Sequence, residues 1–218
     1  MNFFTLLRSE LIKLLNAACT LFFFFTTIAQ DKLPDKAIQV AGGYSHHGSG
    51  DMKGVVFGIE YRNYISTRFS LNYGLRGTIN SGKETIIVNN LITGDRTDAS
   101  VRFTTAGVQA GVNGGLSIVR NMKHELIVSL GAFGRYQSAS NGDDGYSIYY
   151  PQQTGQPTIL IGYDNRTPQE ILTIGGIFQV QYSFTFPNKI LIGLAPAFQT
   201  DTNGDVILQA ALTVGRRL

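Results

Sequence analysis

The chain has 218 residues, 43% of them hydrophobic, with 18 Lys and Arg against 15 Asp and Glu and a formal net charge of +3. That length suits one domain, the near-balance of charge without a Lys/Arg cluster argues against a nucleic-acid partner, and a mean hydropathy close to zero excludes a bundle of membrane helices. Strands that alternate polar and apolar residues escape that average, and 25 glycines, 14 Phe, 10 Tyr and no Trp fit closely packed strands with aromatic rings at membrane interfaces.

Residues 1–29 read as a secretory signal peptide: Arg8 and Lys13 carry positive charge, Leu14 to Ile28 is almost continuously apolar, and Thr27-Ile28-Ala29 offers a small-residue exit. Cys19 precedes the phenylalanine run, with Asn16 where a lipobox needs an aliphatic residue, so it is not read as a lipid-attachment site. Without the leader the chain holds no cysteine, hence neither disulfide nor thiol chemistry. Residues 30–218 read as a single domain.

From there the period-two template of a two-faced strand recurs eight times. Ile38, Val40 and Tyr44 alternate with Gln39, Ala41 and Ser45, and Val55, Phe57, Ile59 and Tyr61 alternate with Gly58, Glu60 and Arg62. After Ser66-Thr67, Phe69, Leu71, Tyr73 and Leu75 alternate with Ser70, Asn72, Gly74 and Arg76. A fourth strand is predicted over Val101 to Val119, passing unbroken through Asn113-Gly114, with a bulge expected near Thr104 to Gly107 because Val101 and Phe103 fall out of phase with Val108. The fifth runs from Glu125 to Gln137. In the sixth, Leu172, Ile174, Phe178, Val180, Tyr182, Phe184 and Phe186 oppose Thr173, Gln179, Gln181 and Ser183. The seventh sets Ile190, Ile192, Leu194, Pro196 and Phe198 against Gly193, Ala195 and Gln199, and the eighth sets Leu208, Leu212 and Val214 against Gln209 and Thr213.

The connections alternate in length. Ser66-Thr67, Arg120 to His124 and Pro187 to Lys189 are short, whereas His46 to Gly54, Asn80 to Ser100, Ser138 to Gln169 and Asp201 to Asp205 are longer and polar. The runs Thr85 to Val88 and Pro157 to Tyr163 are too short to span a membrane, which takes about 9 to 11 tilted residues per strand, and read as strand-like extensions of loops; ten strands is the alternative. A soluble ligand-binding barrel would turn its apolar face inward and carry more charge outside. Here the aromatic face is nearly free of charge, so the polar face is the inside.

With these strands and loops the chain resembles the small eight-stranded outer-membrane barrels, such as the OmpA transmembrane domain, OmpX and the PorT-like barrels of Bacteroidota. The resemblance implies an all-β, antiparallel, up-and-down transmembrane barrel of a Gram-negative outer membrane with both termini periplasmic. It also implies outer-membrane lipid and lipopolysaccharide as surroundings and insertion by the barrel-insertion machinery. One departure is the terminal alternation Leu212, Val214, Arg216, Leu218, where such barrels commonly end in an aromatic residue.

An eight-stranded bore is just wide enough for side chains to fill. On the predicted register Glu60, Arg62, Arg76, Glu125, Arg135 and Arg217 face it beside Gln179, Gln181 and Gln209, with Gly58, Gly74, Gly131, Gly175, Gly193 and Gly215 leaving room for them. Buried charges must be paired, so these residues are expected to form a structural network that plugs the lumen, the alternative being a narrow solute or ion channel. Ser45, His46, His47 and Asp51 have the residue types of a lipid A-modifying outer-membrane enzyme, but no motif surrounds them and no catalysis is expected. Asp201-Thr202-Asn203-Gly204-Asp205 has the oxygens of a calcium loop but lacks its sharp-turn glycine and closing glutamate, so neither metal nor cofactor is expected. The loop Ser138 to Gln169, with Tyr146, Tyr149, Tyr150 and Tyr163, has the composition of a recognition surface for an extracellular ligand that nothing in the chain names.

Overall fold

The computed structural model describes residues 35–48, 51–141, 145–163 and 169–218. The leader expected over residues 1–29 lies outside them, as do Asp143 and Asp144 within the loop Ser138 to Gln169. In chain order the elements are β1 (Lys36–His47), β2 (Met52–Tyr64), β3 (Phe69–Glu84), β4 (Ile87–Asn89), β5 (Arg96–Asp98), β6 (Val101–Arg120), β7 (His124–Asn141), β8 (Gly145–Tyr149), α1 (Pro151–Thr154), β9 (Ile159–Tyr163), β10 (Gln169–Thr185), β11 (Ile190–Asp201) and β12 (Val206–Arg217).

Eight of these strands close into a barrel in the order β1-β12-β11-β10-β7-β6-β3-β2. Every neighbouring pair is antiparallel, and the first and last strands zip together from Ala37↔Arg217 to His47↔Ile207. Closure leaves no unpaired edge on the wall. The remaining four short strands stay outside it, as separate two-stranded sheets β4-β5 and β8-β9, so the ten-strand alternative does not hold.

The period of two sorts the residues inside out relative to a water-soluble domain. Leu172 is 78% exposed and Leu212 65%, while Gln181 and Arg135 on the inner face are fully buried. Along β11 burial alternates without a break, Ile190, Ile192, Leu194, Pro196 and Phe198 lying outside and Leu191, Gly193, Ala195, Ala197 and Gln199 inside. The wall also rises higher on the loop side than the apolar runs suggest: β1 continues through His47, β3 to Glu84 and β7 to Asn141. Antiparallel pairing, once started, continues past the point where the outer face ceases to be apolar.

The bulge expected near Thr104 to Gly107 is not there. The β3–β6 register runs without a shift from Phe69↔Leu116 to Glu84↔Val101, because Val101 and Thr105 turn inward and are buried while Arg102 is exposed. The phase is continuous; apolar Val101 simply faces the interior at the outer mouth. The irregularity in β6 lies at its other end, between Ser117 and Val119 opposite β7. Asn113-Gly114 passes through the middle of β6 as strand.

Two local constraints shape the wall. The β10–β11 ladder lapses between Gln179↔Ala197 and Tyr182↔Leu194, where Pro196 has no N–H to donate. Inward glycines admit the backbone and side chains opposite: a Cβ on Gly131 would run into the Val112 carbonyl and the Asn113 side chain, whereas one on the outward Gly134 would meet nothing within 4 Å. Gly131→Val should therefore lower stability by about 1–3 kcal/mol through overpacking, and Gly134→Val should change it little. Urea unfolding of the refolded barrel in detergent or lipid measures the difference.

Candidate functional site

Alternate positions of all eight wall strands deliver polar side chains into one interior, and these form a connected chain along the bore. At the end that carries the short turns, Glu125 on β7 is 2% exposed. It accepts hydrogen bonds from the Tyr64 hydroxyl at 2.7 Å and the Ser117 hydroxyl at 2.9 Å. Three guanidinium groups surround it, Arg62 at 3.4 Å, Arg217 at 3.6 Å and Arg120 at 3.8 Å. Arg120 also lies over the Tyr64 ring, 3.5 Å from its centroid, a cation–π contact. Arg217 further donates to the Asn121 carbonyl at 2.9 Å.

Higher in the bore, Arg62 donates to Glu60 and to Gln181, each at 2.8 Å, and to Asn72 at 3.2 Å. Gln39 donates to Glu60 at 2.9 Å and exchanges bonds with Gln181 at 2.8 and 3.1 Å. Arg76 reaches Glu60 at 3.4 Å, Gln209 at 3.5 Å and the Gln179 side-chain oxygen. From Gln209 the chain continues to Gln199 at 2.9 Å and from Gln199 to Gln109 at 3.0 Å. Arg135, fully buried, donates to Gln109 at 3.2 Å, Thr78 at 2.8 Å and Gln137 at 2.9 Å. Gln137 then donates to Asp205 at 2.7 Å, beside which His47 sits 3.6 Å away at the loop end.

The structure thus brings Glu60, Arg62, Arg76, Glu125, Arg135, Gln179, Gln181, Gln209 and Arg217 into one hydrogen-bonded series. A charge in so narrow and dry a space is tolerable only with partners, and each guanidinium here has them. Strand phase had already set Gln199 on the inner face; the members it did not single out include Tyr64, Gln109, Arg120, Gln137 and Asp205. Both glutamines share a phase with inward residues: Gln137 lies two residues from Arg135, and Gln109 lies between the outward Val108 and Ala110. Phe133, Ile177 and Ala197 add an apolar cluster to the same inner face. Between Gln39, Glu60, Arg76, Gln179 and Gln209 remains a cavity of about 20 Å³, room for about one water.

The Ser45, His46, His47 and Asp51 grouping does not assemble. These residues flank the end of β1, where alternation sends neighbours to opposite faces. Ser45 and His47 point inward, and Ser45 exchanges hydrogen bonds with Asn80 at 2.9 and 3.1 Å. His46 and Asp51 pair outside at 2.6 Å, an interaction that holds the Asp51 carboxyl below its ordinary value. In the Asp201 to Asp205 turn the Asp201 carboxylate accepts backbone N–H groups of Asn203 at 3.0 Å and Asp205 at 3.2 Å, and Gly204 takes φ 80°. These are the bonds of a hairpin loop.

Above the loop end of the wall, the two small hairpins are tied together. Leu91 donates its N–H to the Gln153 carbonyl of α1 at 2.7 Å. Tyr146 and Tyr163 stand in the paired strands β8 and β9; Tyr150, at the start of α1, is 53% exposed, and Leu91, Ile92 and Leu160 are more exposed still. Lys83 bridges to Asp98 at 3.2 Å. Hydrogen bonds from Ser100, with Lys83 adding to them, push the Asp98 carboxyl down to about 2.

No protein-family model matches the chain, and no curated protein matches it in sequence. Among solved structures it is similar to the N-terminal β-barrel domain of Pseudomonas aeruginosa OprF, at 8% identity and TM-score 0.51 over 85% of this chain and 98% of that one. It is also similar to Neisserial surface protein A, at 11% identity and TM-score 0.50 over 86% of this chain and all of that one. The attachment invasion locus protein of Yersinia pestis aligns at 13% identity and TM-score 0.46, over 85% of this chain and 99% of that one. The fold is that of the small eight-stranded outer-membrane barrels.

Glu125→Ala should cost about 3–5 kcal/mol, because it leaves buried guanidinium groups without their carboxylate; Glu125→Gln, which keeps an acceptor for Tyr64 and Ser117, should cost less. Unfolding midpoints of the two variants check the order. The Asp98 carboxyl titrates lower folded than unfolded, so its support for the β4-β5 hairpin is complete above its ordinary value of 3.8 and is lost as the pH falls from there through about 2. Amide exchange in β5, followed down the pH scale, should show protection fading across that window.

Proposed function

We propose that this chain is a non-enzymatic integral outer-membrane protein of a Gram-negative bacterium. In this reading the termini and short turns lie in the periplasm, the lumen is plugged by its own side chains, and the outer loops serve envelope integrity or surface interaction. The observation that carries it is the sorting of the wall. A continuous belt of Ile, Leu, Val, Phe and Tyr faces outward, and the interior polar groups bond one another along the length of the bore. In water that arrangement would expose the apolar belt; in lipid it hides both the belt and every backbone polar group of the wall. The fold shared with outer-membrane barrels supports the location.

The series of contacts from Arg217 to Asp205 supports the plug over the channel, since a solute would have to break several paired, desolvated charges to pass. Ser45 bonded to Asn80, with His46 on the other face, supports a non-catalytic reading. Lipid and lipopolysaccharide would contact the belt, the barrel-insertion machinery would place it there, and any extracellular ligand would meet the hairpins carrying Tyr149 and Tyr150.

The processed protein should enter phospholipid vesicles and migrate differently in detergent gels before and after heating. Planar bilayers should show no steady unitary current. A steady current abolished by Arg76→Ala or Arg135→Ala would sink the plug, and a change in lipid A mass spectra on overexpression, lost in His46→Ala, would sink the non-enzymatic reading.

A further inference from the structure

The two rims of the barrel differ in charge. At the loop end the exposed cations Lys53, Lys83, Arg96 and Arg102 are interspersed with the exposed carboxylates of Asp51, Asp95, Asp98 and Glu170. At the turn end Lys36, Lys123, Lys189 and Arg216 are exposed, and Asp35 is the only exposed carboxylate side chain among the described residues there. Three of these cations gather on one seam. Arg216 lies opposite Ile38 of β1 and opposite Ile190 of β11, which places its Cα about 7–8 Å from that of Lys36, the diagonal neighbour. The Lys36 carbonyl accepts the N–H of Leu218 and the Lys189 carbonyl accepts the N–H of Arg217, each at 2.9 Å, so the backbones that carry the three side chains are bonded together.

Consecutive arginines at the end of β12 are parted by the pleat. Arg217 enters the lumen toward Glu125, and Arg216 leaves the wall on the face of Leu212 and Val214. It emerges at the level of an aromatic rim, where Phe184 and Phe186 meet edge to face at 5.1 Å and His124 packs on Phe184 at 5.3 Å. Such a girdle marks the headgroup zone of a barrel. Lys189 holds φ 65°, a conformation that favours glycine, yet the position carries a long cation that the turn does not require.

We propose that Lys36, Lys189 and Arg216 form a site for the headgroup phosphate of an anionic phospholipid in the leaflet that meets the turn end. This rests on the membrane reading above. The aromatic rim sets the depth, the apolar faces of β1, β11 and β12 below it receive the acyl chains, and the three cations approach the phosphodiester from the start of β1, the β10–β11 turn and the end of β12. Arg216 supplies a planar fork suited to paired phosphate oxygens, and the lysines supply point charges.

The processed barrel, reconstituted in mixed phosphatidylcholine and phosphatidylglycerol vesicles and released for native mass spectrometry, should retain phosphatidylglycerol in preference. Replacing the three cations together, Lys36→Gln with Lys189→Gln and Arg216→Gln, should reduce that retention by about tenfold or more. Replacing Lys53, Lys83 and Arg102 at the other rim by Gln should leave it intact. Inorganic phosphate should fail to displace the lipid; displacement would mean a free-anion site and overturn the proposal, as would equal loss in both variants or no preference at all. Lys189→Gly relaxes the turn backbone, so weaker lipid retention in a variant no less stable than the parent separates binding from folding. A barrel that inserts without lipid preference refutes this site alone; one that enters neither lipid refutes the membrane reading with it.

Discussion

A guanidinium held out of water needs acceptors at fixed distances, and in a barrel this narrow they come from its own strand, from its neighbours and from across the bore. Glu125 on β7 holds Arg62 of β2, Arg120 of β6 and Arg217 of β12, so one carboxylate ties together strands from around the ring. The strands set where these groups point, and the groups in return fix the spacing of the strands. A register slip of one residue would turn Glu125 outward into the apolar belt and leave three cations unpaired within. The interior network therefore specifies which barrel forms, over and above the backbone ladder that any closed sheet would have.

Much of this could be read from the chain because lipid and lumen impose opposite demands on successive residues. Gln179 and Gln181 between Phe178, Val180 and Tyr182 leave only one choice of face, and the same parity placed Arg76, Arg135 and Arg217. Parity misleads where a residue type no longer reports its surroundings. Val101 and Phe103 sit beyond the belt, where apolar does not mean outward, and the bulge inferred from them belongs at Ser117 to Val119 instead. His46 and His47 looked like partners because loops let neighbours converge; they lie on a strand, and strands separate them. Long-range pairing is the harder gap: no local signal says that Gln109 will meet Gln199 or that Gln137 will meet Asp205, since those distances come from closure of the ring.

The outer hairpins obey other rules. Beyond the wall, β4-β5 and β8-β9 pair only within themselves, and they meet through the Leu91 N–H and the Gln153 carbonyl. Their exposed tyrosine, leucines and isoleucine have no lipid to explain them. The rigid wall presents these segments while contributing little to their shape, which is how variable surface segments are commonly carried on a conserved scaffold architecture. The turn end is the reverse case: it is short, bonded strand to strand, and sorted by charge.

Pro196 places a missing rung between β10 and β11, yet it stands in the middle of the wall. Gln181, on the β10 side of the lapse, donates to Thr213 of β12 at 3.5 Å and so passes over β11 from within. Gln179 meanwhile anchors the same stretch of β10 to Arg76 across the bore. The polar filling thus acts as an internal suture, with its threads laid where the outer fabric is one stitch short. For a barrel under lateral tension from its membrane, resistance to tearing along that line resides in amide side chains that never touch the lipid pulling on it.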